Sequence, residues 1–186
     1  MVIRSGKGDE GFTELHFSKH IGKESLDIRA IGDLDELNSF LGLIKAKTRS
    51  RKEKKMLEHI QLALVIIASE ISIGAEKKKK HGILLKKEDT DWIKQRIYDL
   101  EKDTKIENCF RLPGECEQSA LCDVARAVAR RAERSVVELF HKDKVKDEFI
   151  LSYLNCISDI LFILARKKAK KRAARRKKRK SAKKNK

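Results

Sequence analysis

Two stretches near the carboxyl end decide the fold: Leu121 to Leu139, LCDVARAVARRAERSVVEL, and Phe149 to Arg166, FILSYLNCISDILFILAR. At about 100° per residue, the first stretch places its apolar residues on one side of a helix and Arg126, Arg130 and Arg134 on the opposite side. The apolar stripe that predicts this helix consists of Leu121, Ala125, Val128, Ala132, Val136 and Leu139.

The second stretch is apolar around most of its circumference, which is typical of a helix inside a bundle. It also carries a narrow polar stripe of Asn155, Asp159 and Arg166. Because buried polar groups are almost always hydrogen-bonded, we expect this stripe to have partners.

The row of three arginines favours a binding face. Like charges four residues apart on one helix cost about 0.2–0.5 kcal/mol per pair, so anions lying over the row would relieve this repulsion. Asp123 and Glu133 lie on or beside the face and can neutralise it in part. From periodicity alone, a bundle core with a solvated arginine face remains the alternative.

The composition indicates one soluble helical domain. The chain has 186 residues, 40% of them apolar, with one proline and nine glycines. Few turn signals and little alternating polarity predict an all-α fold. The longest apolar run, Leu62 to Ile73, is broken by polar residues, so we expect no membrane insertion. The amino terminus has no apolar run after its first basic residues, so we expect no secretory signal and a cytoplasmic location. The four cysteines match no zinc pattern and are expected to be reduced thiols.

Positive charge is concentrated at the carboxyl end. The net charge is +17, and residues 167–186 hold 14 Lys or Arg and no acid, so subtracting 14 leaves +3 for the first 166 residues. We therefore divide the chain into a domain over 1–166 and a basic tail over 167–186. Such a tail is typically disordered or a frayed continuation of the preceding helix. It is either a solubilising extension or a nonspecific contact for nucleic acid.

The middle of the chain predicts two more helices. One runs from about Arg51 to Gly74 and the other from Glu88 to Lys102, with apolar residues in helical phase in the first. Before them, Asp33 and Glu36 have the spacing of a capping box, which predicts that a helix begins at Asp33. We interpret the helix from Arg51 to Gly74 as structural and the charged face of the helix from Glu88 to Lys102 as solvated surface.

The two carboxyl-terminal stretches carry a resemblance to a known family. ARAVARRAER and YLNCISDILFILAR resemble the signature of the PduO-type ATP:cob(I)alamin adenosyltransferases, which is close to R-T-V-C-R-R-A-E-R followed by Y-L-N-R-L-S-D-L-L-F-V-L-A-R.

The amino-terminal stretch IRSGKGDEGFTELHF is similar to the family's T-x-T-G-D-x-G-x-T loop. Glycine-rich loops can direct successive N–H groups at phosphate, although a surface turn is the alternative. The match departs from the pattern at its first threonines, where this chain has Ser5 and Lys7. The residues that the resemblance assigns to ATP binding here are Ser5, Lys7, Gly8, Asp9 and Thr13.

Two further blocks match. GKESLDIRAIGDLDELNSFLG resembles a family block in which a lysine, here Lys23, helps to hold the phosphates of ATP. In the same block an aspartate, here Asp35, pairs with an arginine, here Arg126, across a subunit interface. The linker NCFRLPGE resembles F-x-L-P-G-G, whose phenylalanine, here Phe110, shapes the corrinoid pocket. By physics alone, Phe110 equally fits a contact that anchors the linker on the bundle.

The resemblance covers about residues 3–166 and implies a five-helix bundle that assembles as a homotrimer, with ATP and a reduced corrinoid bound between subunits. It implies transfer of the 5′-deoxyadenosyl group of ATP to Co(I), with release of triphosphate. Arginine forks suit this leaving group because they bind phosphate oxygens and keep their charge.

By the family pattern, the catalytic residues are Arg126, Arg130, Asp35 and Phe110. The same pattern assigns Arg130, Glu133, Arg134 and Asn155 to ATP, and Asn155 also to the Mg²⁺ that accompanies it. K⁺ is a further candidate cofactor. A reductase and an adenosylcobalamin-dependent enzyme are the expected protein partners.

Cys156 departs from the family, which commonly has arginine in Y-L-N-R-L-S-D. A missing cation beside the polar stripe would weaken nucleotide binding unless another base replaces it. Two alternatives therefore stay open: a homologue without activity that carries corrinoid, and a helical protein that binds nucleic acid nonspecifically through its tail and arginine face.

Overall fold

A computed structural model describes residues 6, 8–15, 20–73, 84–106, 109 and 111–184. Over these residues the chain forms a small antiparallel hairpin followed by five helices, which confirms the predicted all-α bundle. The elements are β1 (Phe12–Glu14), β2 (His20–Gly22), α1 (Leu26–Lys47), α2 (Arg51–Ile73), α3 (Lys87–Thr104), α4 (Glu117–His141) and α5 (Glu148–Lys184).

Helix α5 lies at the centre of the packing. It packs against α4 and α3, while α1 packs against α4 and α2. Ile150, Tyr153, Leu154, Ile157 and Leu161 of α5 are all fully or almost fully buried. Since each large apolar side chain removed from water contributes about 1.5–3 kcal/mol, this helix is the main source of core stability.

Helix α1 begins seven residues earlier than predicted. Ser25 is its N-cap, with the side-chain oxygen accepting a hydrogen bond from the amide of Ile28 at 3.4 Å. The predicted start at Asp33 is therefore wrong. Its capping-box spacing has a different use, because the Asp33 carboxylate accepts hydrogen bonds from Arg131 and Ser135 on α4.

Two helices, Arg51–Ile73 and Glu148–Arg176, have the length and the apolar composition that crossing a bilayer requires. The broken apolar run in the sequence did not predict this. However, 50% and 61% of their apolar windows are buried within the bundle. Core helices of a bundle have the same properties, so their length and composition are weak evidence for a membrane span.

The basic segment continues α5 as a helix to Lys184. Of the two forms predicted for the tail, disordered or helical, the structure has the helical one. Its first turn is part of the packed structure, because Lys168 is 9% exposed and its ammonium contacts the carboxylate of Glu53 on α2. Lys170 donates to the carbonyl oxygen of Lys105 at 2.6 Å. Packing therefore continues beyond the predicted domain boundary at Arg166.

Candidate active site

The arginines of α4 and the polar residues of α5 share one side of the bundle. Arg130 and Arg134 are exposed on α4, and Asn155 and Asp159 are exposed on α5. Arg130 lies close enough to Asp159 for its charge to act on that carboxyl. Partial burial nevertheless raises the pKa of Asp159, and Arg130 opposes this shift only in part. The face therefore keeps an excess of positive charge.

The side chain of Arg126 has one long ion pair and a buried nitrogen without a hydrogen bond. Its Nε atom lies 3.7 Å from a carboxylate oxygen of Asp123, one turn earlier, and this buried Nε has no hydrogen-bond partner. The family-implied partner, Asp35, is exposed on α1 and makes no ion pair with Arg126 within one chain.

Asp123 and Arg166 form a buried pair, in which Asp123 accepts a hydrogen bond from Arg166 at 2.7 Å. Arg166 thus has the partner that was predicted for the polar stripe of α5, and Asp123 also lies beside Arg126, as predicted. Arg166 also lies 3.3 Å from Glu115 and places its guanidinium 5.6 Å from the ring centroid of Phe162. The cluster fixes the start of α4 against α5, and the exposed polar stripe of α5 is reduced to Asn155 and Asp159.

A fourth arginine of α4, Arg131, contacts α1. Its Nε lies 3.1 Å from Asp33, and its terminal nitrogen contacts Glu36, so both of its partners are on α1. The sequence pattern did not distinguish it from its neighbours, although its position 100° from Arg130 on the helix was a usable signal. Arg131 therefore holds helices together and does not line the site.

Glu133 is half-buried and Arg134 exposed on the same helix. Within the described ranges neither has an ion-pair partner. They are free to meet a ligand, as the resemblance implied, but the geometry of one chain does not fix their roles.

A pocket of about 440 Å³ lies farther along α5, where its lining begins at Phe162, one turn after Asp159. Phe162, which is 41% exposed, lines it together with Arg166, Cys109 and Arg111. Phe110 itself lies outside the described residues, although its two neighbours line this pocket. The pocket thus combines an aromatic ring and cations close to the predicted corrinoid residue.

The amino-terminal candidates form a separate group. Lys23 donates from Nζ to the carbonyl oxygen of Gly8 at 2.6 Å, so two predicted phosphate-binding positions are in contact. Gly11 has φ +82°, a conformation that favours glycine, and its carbonyl oxygen accepts from the amide of Lys23 at 2.9 Å. Thr13 lies in β1 opposite Ile21, and the amide of Asp9 donates to Gly6. Ser5 and Lys7 lie outside the described residues.

No described hydrogen bond or ion pair joins the Lys23–Gly8 group to the arginines of α4. No set of three or more His, Cys, Asp or Glu side chains in the described part of the chain is placed to hold a metal ion. Any divalent ion at Asn155 would therefore need most of its ligands from phosphate oxygens or water. The protein supplies positive charge here and no metal cage.

Cys156 borders the polar stripe but belongs to the core. It is 6% exposed, and burial, more than the nearby Asp159, raises the pKa of its thiol, while Lys94 of α3 opposes the shift. Position 156 is therefore buried in this chain, and the effect of a cation there stays a prediction. Lys94 already supplies a positive charge nearby. The four cysteines form no disulfide, as predicted.

The chain is similar to proteins of known activity. The cobalamin adenosyltransferase family model matches residues 3–168. A cobalamin adenosyltransferase from Cupriavidus metallidurans is 37% identical over 165 residues, with 88% of this chain and 86% of that protein covered. The corrinoid adenosyltransferase PduO of Salmonella typhimurium is 31% identical over 89% of this chain, which spans only 49% of that relative's length.

The fold likewise has solved counterparts. A variant of the PduO-type ATP:corrinoid adenosyltransferase from Lactobacillus reuteri, solved in complex with cobalamin and ATP, superposes with a TM-score of 0.82 at 26% identity. The match covers 90% of this chain and 93% of that one.

Proposed function

We propose, from the premise that this chain belongs to the cobalamin adenosyltransferase family, that it transfers the 5′-deoxyadenosyl group of ATP to the Co(I) centre of a reduced corrinoid. The observation that carries the proposal is that Arg130 on α4 lies close to Asp159 on α5, one turn before Phe162, which lines the pocket. One side of this face suits a triphosphate and the other a large, partly apolar ring.

The reaction needs little from the protein by way of proton transfer. The electron pair of Co(I) forms the cobalt–carbon bond at C5′, the C5′–O bond breaks, and triphosphate leaves with that bond's electrons. Because negative charge grows on the leaving group, preorganised cations provide the main stabilisation. Arg130 suits this role because it is exposed and makes no ion pair within the described residues. Arg134 and Glu133 would position the nucleotide beside it.

The site is best completed between subunits of a homotrimer. Asp35 has no ion pair with Arg126 within the chain, and the Lys23–Gly8 group makes no described contact with the arginine face. A neighbouring copy would bring both pairs together, with the glycine loop over the phosphates. This assembly would explain why family-implied partners lie apart in one protomer.

Mg²⁺ would arrive with ATP and be held by phosphate oxygens, with Asn155 as the protein ligand. K⁺ would be a further ion at the nucleotide. A reductase would supply Co(I), and an adenosylcobalamin-dependent enzyme would receive the product.

The direct test mixes the protein with ATP, Mg²⁺ and chemically reduced cobalamin and follows the absorbance spectrum of adenosylcobalamin. Arg130→Ala and Arg131→Ala form a matched pair, since they are adjacent arginines that face a site and a helix contact respectively. Loss of product with the first and retention with the second would support the assignment. Equal activity of both would contradict it.

A second candidate function rests on Cys156. If the cation missing at this position is essential, the protein would bind corrinoid without transferring adenosyl. Equilibrium binding of cobalamin with no adenosylated product under the same conditions would favour this inactive carrier.

A further inference from the structure

A second recess, of about 410 Å³, lies on another side of α5. It is formed by the connection between α1 and α2, the start of α4 and the basic part of α5. Arg49, Lys171, Arg172 and Arg175 are the exposed cations that line it.

The acids around this recess are already occupied. Glu53 pairs with Lys168, Glu115 with Arg166 and Glu117 with Lys47. Within the described residues, the four exposed cations have no carboxylate partner. The five cations and three carboxylates that line the recess leave a net charge of about +2, and its four exposed cations are free to meet an anion.

Backbone groups add to this charge. Helix α2 begins at Arg51 and α4 at Glu117, and Ser50 and Cys116, the residues directly before these helices, line the recess. The first N–H groups of a helix lack intrahelical acceptors and carry partial positive charge. Two helix amino termini and four cations thus converge on one concavity.

The spacing of the cations shows that they share a face of α5. Lys168, Lys171, Arg172 and Arg175 are three or four residues apart, whereas Ala169, Ala173 and Ala174 line the other pocket. The other pocket is lined by Lys170 as well as these alanines, whereas every lining residue that the recess takes from the basic segment is a cation.

We propose that this recess binds an oligophosphate: a chain of linked phosphate groups, either free or in a nucleic-acid backbone. Arginine forks match phosphate oxygens, and several cations around one cavity suit several linked phosphates better than a single small anion. This site is separate from the arginine face of α4, and it uses residues beyond the family match, which ends at residue 168.

The test measures binding of inorganic tripolyphosphate to the full chain by isothermal titration calorimetry at about 0.15 M salt. Arg130→Ala is used as the background to weaken triphosphate binding at the α4 face. Arg49→Ser and Arg172→Ser each remove a recess cation. Arg51→Ser and Arg176→Ser are matched controls, because both remove an exposed arginine close by in sequence that does not line the recess. Circular dichroism melts check that all four variants fold.

We expect each recess variant to bind tripolyphosphate at least about tenfold more weakly, as for loss of a charge-assisted contact, and each control to stay within about twofold. A second arm repeats the series with a twelve-nucleotide single-stranded RNA to identify the source of the phosphates. The proposal stands if either probe distinguishes recess variants from controls. It is overturned if both probes fail to bind, or if all four variants weaken binding alike, as general attraction to a basic chain requires.

Discussion

The guanidinium of Arg166 lies 2.7 Å from the carboxylate of Asp123, and the two side chains are only 8% and 5% exposed. The pair joins α5 to the amino-terminal part of α4. Because both ends are desolvated, neither charge can be left without the other.

We expect Arg166→Met to lower the free energy of unfolding by about 3–5 kcal/mol, since it leaves the buried Asp123 with only its longer, 3.7 Å contact to Arg126. Urea denaturation followed by circular dichroism measures the loss. Asp123→Leu combined with Arg166→Met should recover much of the stability. If the single variant is as stable as the parent, the pair is not a structural element of the core.

Arg130→Ala should lower kcat/KM for adenosyl transfer by at least tenfold without unfolding the protein. The residue is exposed, so its truncation opens no cavity, but it removes a contact to charged phosphate that contributes about 1.5–3 kcal/mol. Arg130→Lys should recover only part, because the planar fork is missing. Steady-state kinetics measure kcat/KM, and thermal melts of the same variants show whether they fold. A change in kcat/KM of less than about twofold would contradict a phosphate-binding role for Arg130.

Cys156→Arg should destabilise the fold by about 1–3 kcal/mol, because it forces a larger, charged side chain into a buried position near Lys94. Cys156→Val is the control for loss of the thiol alone. Adding Lys94→Ala to Cys156→Arg should restore part of the stability by removing the like charge. A stable single variant with tighter ATP binding would show instead that the new side chain reaches the polar stripe.

Asp159→Asn should stabilise the protein more as the pH rises. The folded-state pKa of Asp159 is raised above 3.8, so the folded state holds its proton more tightly than the unfolded state. The parent therefore loses stability as pH rises from the unfolded pKa through the raised folded pKa, whereas the asparagine variant does not. Thermal melts at pH 3 to 7 should show the difference in Tm growing across that window. A constant difference would mean that Asp159 does not titrate abnormally.

Truncation should have different effects at two positions of α5. Ending the chain after Arg176 keeps Lys168, Ala169 and Lys170 with their contacts, and we expect an unchanged Tm. Ending it after Arg166 removes Lys168 and Ala169, which leaves Glu53 without its partner, and should lower Tm by several degrees. Equal Tm values for the two truncations would place the end of the packed structure at Arg166 after all.

The helices could be predicted because their apolar residues recur at helical spacing, and that period alone gave α2 to within one residue at each end. Contacts between helices could not be predicted in this way. The spacing of Asp33 and Glu36 is that of a capping box whether or not a helix begins there, and only the position of α4 makes Asp33 a partner of Arg131. Likewise Cys156 lies on the border of the polar stripe in the sequence pattern, and the closeness of α3 decides that it is buried.

The sequence could place the candidate residues of α4 and α5 on helical faces, where the family pattern and the periodicity agree, and their roles in a site stay predictions; the glycine loop was harder to place. The position of Lys23 against Gly8 depends on a hairpin too short to leave a clear alternation. The roles of Asp35 and Phe110 and the proposed trimer remain predictions.

The continuity of α5 ties the orientation of its basic end to the length of the chain. Each residue turns a helix by about 100°, so one residue inserted after Ala169 would rotate Arg172 and Arg175 from the recess towards the alanine-lined pocket. Seven inserted residues would return these side chains to within about 20° of their original direction, but about 10.5 Å farther along the axis. The number of residues between Arg166 and Arg172, and not only their charge, therefore sets where the positive charge of this protein is presented.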